Sequence, residues 1–205
     1  MFSQSFTVTD LCGARGGFWL FEGLTFALQP GEALLVRGAN GAGKSTLLRI
    51  LAGLLSPADG TIAYGLTDEQ PPPLHFLGHT NTIKSGMSVE QNIQFWAEFA
   101  GVEASAQDEA IDATLDAFNL DGLRDLPARY LSAGQKRRLA LARLVASPAP
   151  LWLLDEPTTA LDTASTSLFE QAIQAHRKVG GMAIIATHQE LSVPGAQSLN
   201  LETCQ

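Results

Sequence analysis

Three apolar runs stand out along the chain: EALLVR (32–37), LWLLD (151–155) and MAIIATH (182–188). Each is short and continuous, without alternation of apolar and polar positions, a pattern that predicts strands of a parallel sheet buried on both faces. Pro30-Gly31 and Gly38 bound the first run, and a helical stretch over 163–179 separates the other two. These features predict an α/β core. The middle of the chain is patterned differently. SVEQ (88–91) and SAGQ (132–135) both carry the S-x-x-Q spacing of a capping box, and each precedes a helical pattern. After the first box, Val89, Ile93, Trp96 and Ala100 are expected on one helix face; in the next helix, Ile111, Leu115 and Phe118 are expected to do the same. Residues from about 80 to 145 therefore read as a helical insertion in the α/β core. The proline run at 71–73 marks a rigid approach to the strand before it.

Composition narrows the picture. With 205 residues, 45% of them apolar, the chain is long enough for one well-buried domain carrying a small inserted subdomain. A net charge of -8 with only 13 Lys and Arg argues against a nucleic-acid partner, because neutralising phosphates needs clustered cations. Cys12 and Cys204 have no metal-like spacing and read as two reduced thiols. The N-terminus lacks a basic, apolar leader, and no apolar run nears the ~20 residues a membrane span needs, so a soluble chain is expected.

Candidate chemistry begins with GANGAGKS (38–45), which fits G-x-x-x-x-G-K-[ST] between an expected strand and an expected helix. Gly38, Gly41 and Gly43 allow backbone N–H groups to turn inward and cradle phosphates, with Ala39, Asn40, Ala42 and Thr46 completing the loop. Lys44 supplies charge to the terminal phosphates, and Ser45 offers a hydroxyl to Mg²⁺. LWLLDEP places Asp155 and Glu156 at a strand's C-terminal end, the edge where ligands bind in parallel sheets. There Asp155 is suited to the Mg²⁺ shell and Glu156 to taking a proton from water. His188, ending the third run, faces the same edge and is a candidate γ-phosphate contact. Ser132, Gly134 and Gln135 open a helix whose N-terminus could bind an anion; an ordinary capped helix with a solvated basic face, Lys136 to Arg138, is the equal alternative.

Together these residues resemble the ATP-binding cassette (ABC) family over residues 6–201, with 38–45 as its phosphate loop, 131–135 as its signature, 151–156 as the strand ending in carboxylates, 160–162 as its D-loop and His188 as its switch histidine. The resemblance implies a P-loop NTPase core with a parallel sheet, an N-terminal antiparallel β region and an inserted helical subdomain, all within one nucleotide-binding domain. It implies ATP and Mg²⁺ as ligands, and a second copy docked head to tail, so that Ser132, Gly134, Gln135 and Asp162 of one copy face the nucleotide of the other. It also implies an aromatic side chain stacked on adenine upstream of the loop. Phe18 and Trp19 are the candidates, with core packing an equal reading.

In most of the family the strand before the helical insertion ends in a glutamine that senses the γ-phosphate and metal. Here His79 holds that place, so the resemblance makes it a catalytic and metal-contact candidate. A histidine still presents a ring nitrogen to water or metal, and its charge changes near neutral pH. FLGHTNTIK, VEQNIQFW, LSAGQKRRLALARL, LWLLDEPTTALD and THQ are further similar to the ATP-binding subunits of cytochrome c maturation haem exporters. Departures from that pattern are Gln91 before Asn92, where glutamate is usual, and Asn81, where glycine is common. What this second resemblance implies is an ATPase on the cytoplasmic side of a bacterial inner membrane, working with permease subunits of the haem exporter B and C type. The contact is expected around residues 84–96, with Trp96 inward and Phe95 outward. Direct haem binding is not expected, because His75 and His79, four residues apart on a strand and turn, form no ligand pair. His176 reads as solvated. Rival readings are an ABC subunit for a peptide or lipid cargo and a non-transport ABC ATPase.

Overall fold

The computed structural model describes residues 5–65 and 74–201; the proline run at 71–73 and Cys204 lie outside the described residues. Along the chain come β1 (Phe6–Arg15), β2 (Phe18–Leu28), β3 (Ala33–Arg37), α1 (Lys44–Leu51), β4 (Asp59–Ala63), β5 (Leu74–Leu77), α2 (Val89–Phe99), α3 (Ala104–Ala117), α4 (Ala133–Ala146), β6 (Leu151–Asp155), α5 (Thr163–Lys178), β7 (Met182–Ala186) and β8 (Gln197–Asn200). Two sheets result: an antiparallel one in the order β2-β1-β4, and a parallel one in the order β5-β6-β7-β3-β8. The chain divides into two compact units. The first takes the described residues of Met1–Gly78, Ala149–Pro157 and Ile173–Gln205, and the second takes His79–Pro148 and Thr158–Ala172.

Both sheets belong to the first unit. Leu34, Val36, Leu151, Leu153, Met182, Ile184 and Ala186 from the parallel strands share a core with Leu47, Leu48 and Leu51 of α1 and with Phe6, Val8 and Leu11 of β1. Residues of the opposite parity, Ala33, Leu35, Trp152, Leu154, Ala183 and Ile185, are buried as well. Burial on both faces is why these strands do not alternate.

His176 corrects its sequence reading. Its side chain is buried at 8% exposure, stacked on Trp152 with centroids 3.9 Å apart and planes 7° from parallel, and Nε2 is 3.2 Å from the Met182 carbonyl oxygen. A Cβ at Gly181 would come within 2.1 Å of the ring, so only glycine leaves room for this stack. Burial pushes the imidazole down to about 4; the Met182 carbonyl opposes that shift and His75 adds to it.

The second unit is mainly helical, with α2, α3 and α4 packed on one another. Both capping boxes form: Ser88 with Gln91 at α2, and Ser132 with Gln135 at α4. Ile111, Leu115 and Phe118 are buried as expected. The inward face of α2 differs from its expectation. Val89, Asn92, Ile93 and Ala97 are the buried residues, whereas Trp96 is half-buried and Ala100 exposed. Asn92 explains the rotation. It lies inward despite its polarity because its side chain accepts from Lys84 N–H at 2.7 Å and donates to the carbonyls of Ser88 at 2.8 Å and Lys84 at 3.0 Å. Phe95, Trp96 and Phe99 pack against one another on the flank, and Phe99 is 77% exposed. The Lys84 ammonium sits 4.2 Å from the centre of the Phe95 ring.

Candidate active site

Strand register assembles the site in the first unit. Val36 of β3 pairs with Ala186 of β7, and Ala186 pairs with Asp155 of β6, so these three positions lie side by side at one edge. The glycine loop leaves β3 two residues after Val36, Glu156 follows Asp155 directly, and His188 comes two residues after Ala186. Parallel strands therefore deliver three chemically different groups from distant sequence to one sheet edge.

The loop itself is built by backbone conformation. Gly38 has φ 141°, and a Cβ there would stand 2.4 Å from the Leu201 carbonyl oxygen; Gly43, at φ 97°, caps α1 in the left-handed region. Lys44 is buried, and its Nζ donates to the carbonyls of Gly38 at 2.7 Å and Ala39 at 3.0 Å. Those bonds fold the side chain over its own loop. Neutral carbonyls are weaker acceptors for an ammonium than phosphate oxygens, so the contact can be exchanged. Ala39, Asn40 and Gly41 are exposed, Ala42 and Thr46 are buried, and Ser45 is half-buried.

Asp155 is buried at 2% exposure and Glu156 at 9%. Glu156 has φ 48°, an uncommon conformation for a residue with a side chain, and its N–H donates to the Ala186 carbonyl at 2.9 Å. The strained backbone turns the chain just past the end of β6. His188 Nδ1 lies 2.9 Å from Glu156 Oε2, with the histidine side chain 58% exposed. His188, expected at a γ-phosphate, thus also flanks the carboxylate expected to act as base.

Phe18 and Trp19 are 77% and 50% exposed, which removes core packing as their explanation. They open β2, whose next residues reach the loop: a Cβ at Gly43 would meet Leu20 at 3.0 Å and Phe21 at 3.2 Å. Exposed aromatic rings therefore flank the segment that packs on the phosphate loop.

The remaining candidates belong to the second unit. His79 is its first residue, exposed, two positions beyond Leu77 of β5. Ser132 Oγ accepts from Gln135 N–H at 3.2 Å while Gln135 Oε1 accepts from Ser132 N–H at 2.8 Å, and Gly134 is half-buried, its position 3.1 Å from the Ala160 carbonyl for any added Cβ. Asp162 Oδ1 accepts from Ser165 N–H at 2.7 Å as the cap of α5, and its bonds to Ser165 hold the carboxyl below the usual range. Ser132 and Asp162 are exposed, and Gln135 is half-buried. Sequence reasoning missed Asn92 and the two buried arginines of α4, Arg137 and Arg143. A polar residue between Val89 and Ile93 was the available signal for Asn92.

A sequence profile of the family described as ABC transporter matches residues 21–159. The chain is 47% identical to the cytochrome c biogenesis ATP-binding export protein of Paramagnetospirillum magneticum, over 98% of this chain and 96% of that protein. It is 48% identical to the protein of the same name from Rhodospirillum rubrum, over 96% and 85%. Among solved structures, an ABC transporter ATP-binding protein from Pyrococcus furiosus superposes with a TM-score of 0.82 at 27% identity, covering 96% of this chain and 97% of that one. A metal-chelate type ABC transporter in an inward-facing conformation superposes with a TM-score of 0.79 at 28% identity, covering 98% and 80%. The nucleotide loop, the edge carboxylates and these likenesses agree on an ATP-hydrolysing subunit. The chain belongs to the ABC transporter family as an ATP-binding protein, with cytochrome c biogenesis ATP-binding export proteins as curated relatives.

Proposed function

We propose that the chain hydrolyses ATP on the cytoplasmic face of a bacterial inner membrane to drive an exporter that moves haem, or releases its carrier, for assembly of c-type cytochromes. The observation that carries this cargo is 47% identity to a cytochrome c biogenesis export protein along nearly the full length of both chains. Among the described residues no helix is long and apolar enough to cross a membrane, which supports work through membrane-spanning permease subunits. The half-buried and exposed aromatics of α2, with Phe99 the most open, are the surface best suited to meet them.

In this reading water attacks the γ-phosphorus in line, the bond to the β–γ bridging oxygen breaks, and Glu156 takes the proton that water loses. Lys44 leaves its loop carbonyls for the terminal phosphates. His188, already 2.9 Å from Glu156, orients the carboxylate and reaches the γ-phosphate. The Ser45 hydroxyl and the buried Asp155 carboxylate make an oxygen donor pair that fits Mg²⁺, a hard cation that would neutralise phosphate charge when bound. His79 offers nitrogen, which suits a water in that shell better than the metal itself. The signature residues, at the exposed start of α4, serve a second copy's nucleotide in a head-to-tail pair.

Deleting the gene tests the cargo. Haem-stained c-type cytochromes should disappear while b-type cytochromes persist; normal c-type levels would overturn the haem assignment in favour of another cargo. Failure to co-purify with any membrane permease would favour a non-transport ATPase.

A further inference from the structure

Residues 81–84, directly after His79, form no helix or strand, yet three side chains from two helices hold them. Arg137 of α4 donates from Nη1 to Asn81 Oδ1 at 3.1 Å. Arg143, two turns further along the same helix, donates to Thr82 Oγ1. Asn92 of α2 holds the backbone of Lys84 at both its N–H and its carbonyl. The restraint works against strain, because Thr82 has φ 48°, a left-handed conformation that a β-branched residue avoids. Both arginines are costly where they stand: Arg137 is 3% exposed and Arg143 is 6% exposed. Burial, with Arg137 as a like-charged neighbour, lowers Arg143 to about 10, which still leaves it charged at neutral pH. Its guanidinium lies 5.2 Å from the centre of the Trp96 ring, so α2 also packs against it.

An unstructured loop with a strained residue is expected to be a soft part of a protein. Here two rigid guanidinium groups fasten it to the helix that begins at Ser132 and Gln135. We propose that Arg137 and Arg143 are positioning residues that make the segment after His79 and the signature helix move as one body. A displacement of the segment is then felt at the α4 N-terminus, the part offered to a second copy's nucleotide. The Asn81 side-chain oxygen is the acceptor on which the Arg137 arm of the clamp depends. The proposal rests on reading the segment as the nucleotide sensor.

The test is a double-mutant cycle on the purified full chain with its permease. Asn81→Ala and Arg137→Met are made singly and together, and turnover, half-saturating ATP, the Hill coefficient and the melting temperature are measured. A clamp predicts that each single variant lowers turnover about tenfold and reduces cooperativity, and that the double variant is no worse than the more damaged single. Half-saturating ATP should stay within about twofold, the signature of a transition-state rather than a binding effect. Asn81→Asp keeps the acceptor oxygen and should retain wild-type turnover. Additive losses, or unchanged turnover and cooperativity in Asn81→Ala, would overturn the clamp; if Arg137→Met does not fold, the contrast between Asn81→Ala and Asn81→Asp decides it. His79→Ala in the same assay separates the two readings. A loss there with Asn81→Ala silent sinks the clamp and leaves the sensor standing, and the reverse pattern takes the sensing role from His79 alone while the clamp on the segment stands.

Discussion

His188 Nδ1 stands 2.9 Å from Glu156 Oε2, although 32 positions of sequence separate the two residues. The contact exists because β6 and β7 are parallel neighbours in register, Asp155 beside Ala186, and each strand is followed within two residues by its functional group. The acidic side is buried and the imidazole is mostly open.

If Glu156 accepts the proton, Glu156→Gln should keep nucleotide binding and lower turnover by about 10² to 10⁴, the usual worth of a positioned general base. The variant should accumulate as an ATP-bound pair of chains, visible by size-exclusion chromatography. Hydrolysis close to wild type would falsify the assignment.

His79 opens the second unit directly after the edge strand β5. As the sensor, it should matter to communication more than to affinity. His79→Ala is expected to reduce permease-stimulated ATPase while leaving the nucleotide Kd within about twofold, a loss confined to the stimulated state. Equal losses in both quantities, or none in either, would remove the coupling role.

The exposed rings of Phe18 and Trp19 address adenine recognition. Stacking of a base on an aromatic side chain is worth about 1–3 kcal/mol by alanine substitution. The double variant Phe18→Ala with Trp19→Ala should therefore weaken ATP binding by roughly tenfold or more, and the single variants should show which ring contributes. Titration with a fluorescent ATP analogue measures this. Unchanged affinity in the double variant would send the search for the stacking residue elsewhere.

His176 makes stability depend on acid. Its native pKa of about 4 lies below the ordinary 6.5, so the unfolded chain binds the proton more tightly than the folded one. Stability is whole above the unfolded value and falls as pH drops through 6.5 towards about 4, by roughly 3 kcal/mol at most. His176→Phe keeps an aromatic ring against Trp152 and has nothing to titrate, so its urea midpoint should change less between pH 7 and pH 4.5. Identical slopes for wild type and variant would show that other groups dominate. Gly181→Ala, which drives a methyl into the ring, should cost about 1–3 kcal/mol at any pH.

Much of this protein is local, and the local part is legible in the sequence. A phosphate loop is a run of consecutive residues whose glycines set their own backbone, so 38–45 announces itself without reference to the rest of the chain. The capping boxes at Ser88 and Ser132 span four residues each and form as the spacing predicts. Strands β3, β6 and β7 show themselves because burial on both faces erases alternation, and Asp155 and Glu156 are conspicuous as the charges that end such a run.

Tertiary structure decided the rest, where the outcome depends on what a side chain meets across the fold. Hydropathy placed Trp96 inward and took no account of Asn92, but Asn92 found four backbone groups to bond while Trp96 found two aromatic neighbours and a guanidinium on the flank. His176 read as solvated on a helix end, yet Gly181 leaves a slot beside Trp152 that fits a ring. Phe18 and Trp19 could have served the core until the fold left them open. Arg137 looked like part of a solvated basic face and Arg143 drew no reading at all, and only packing shows both buried on residues more than fifty positions away. Chain-local conformation depends on near neighbours that the sequence displays; burial and partnership depend on distant ones that it does not.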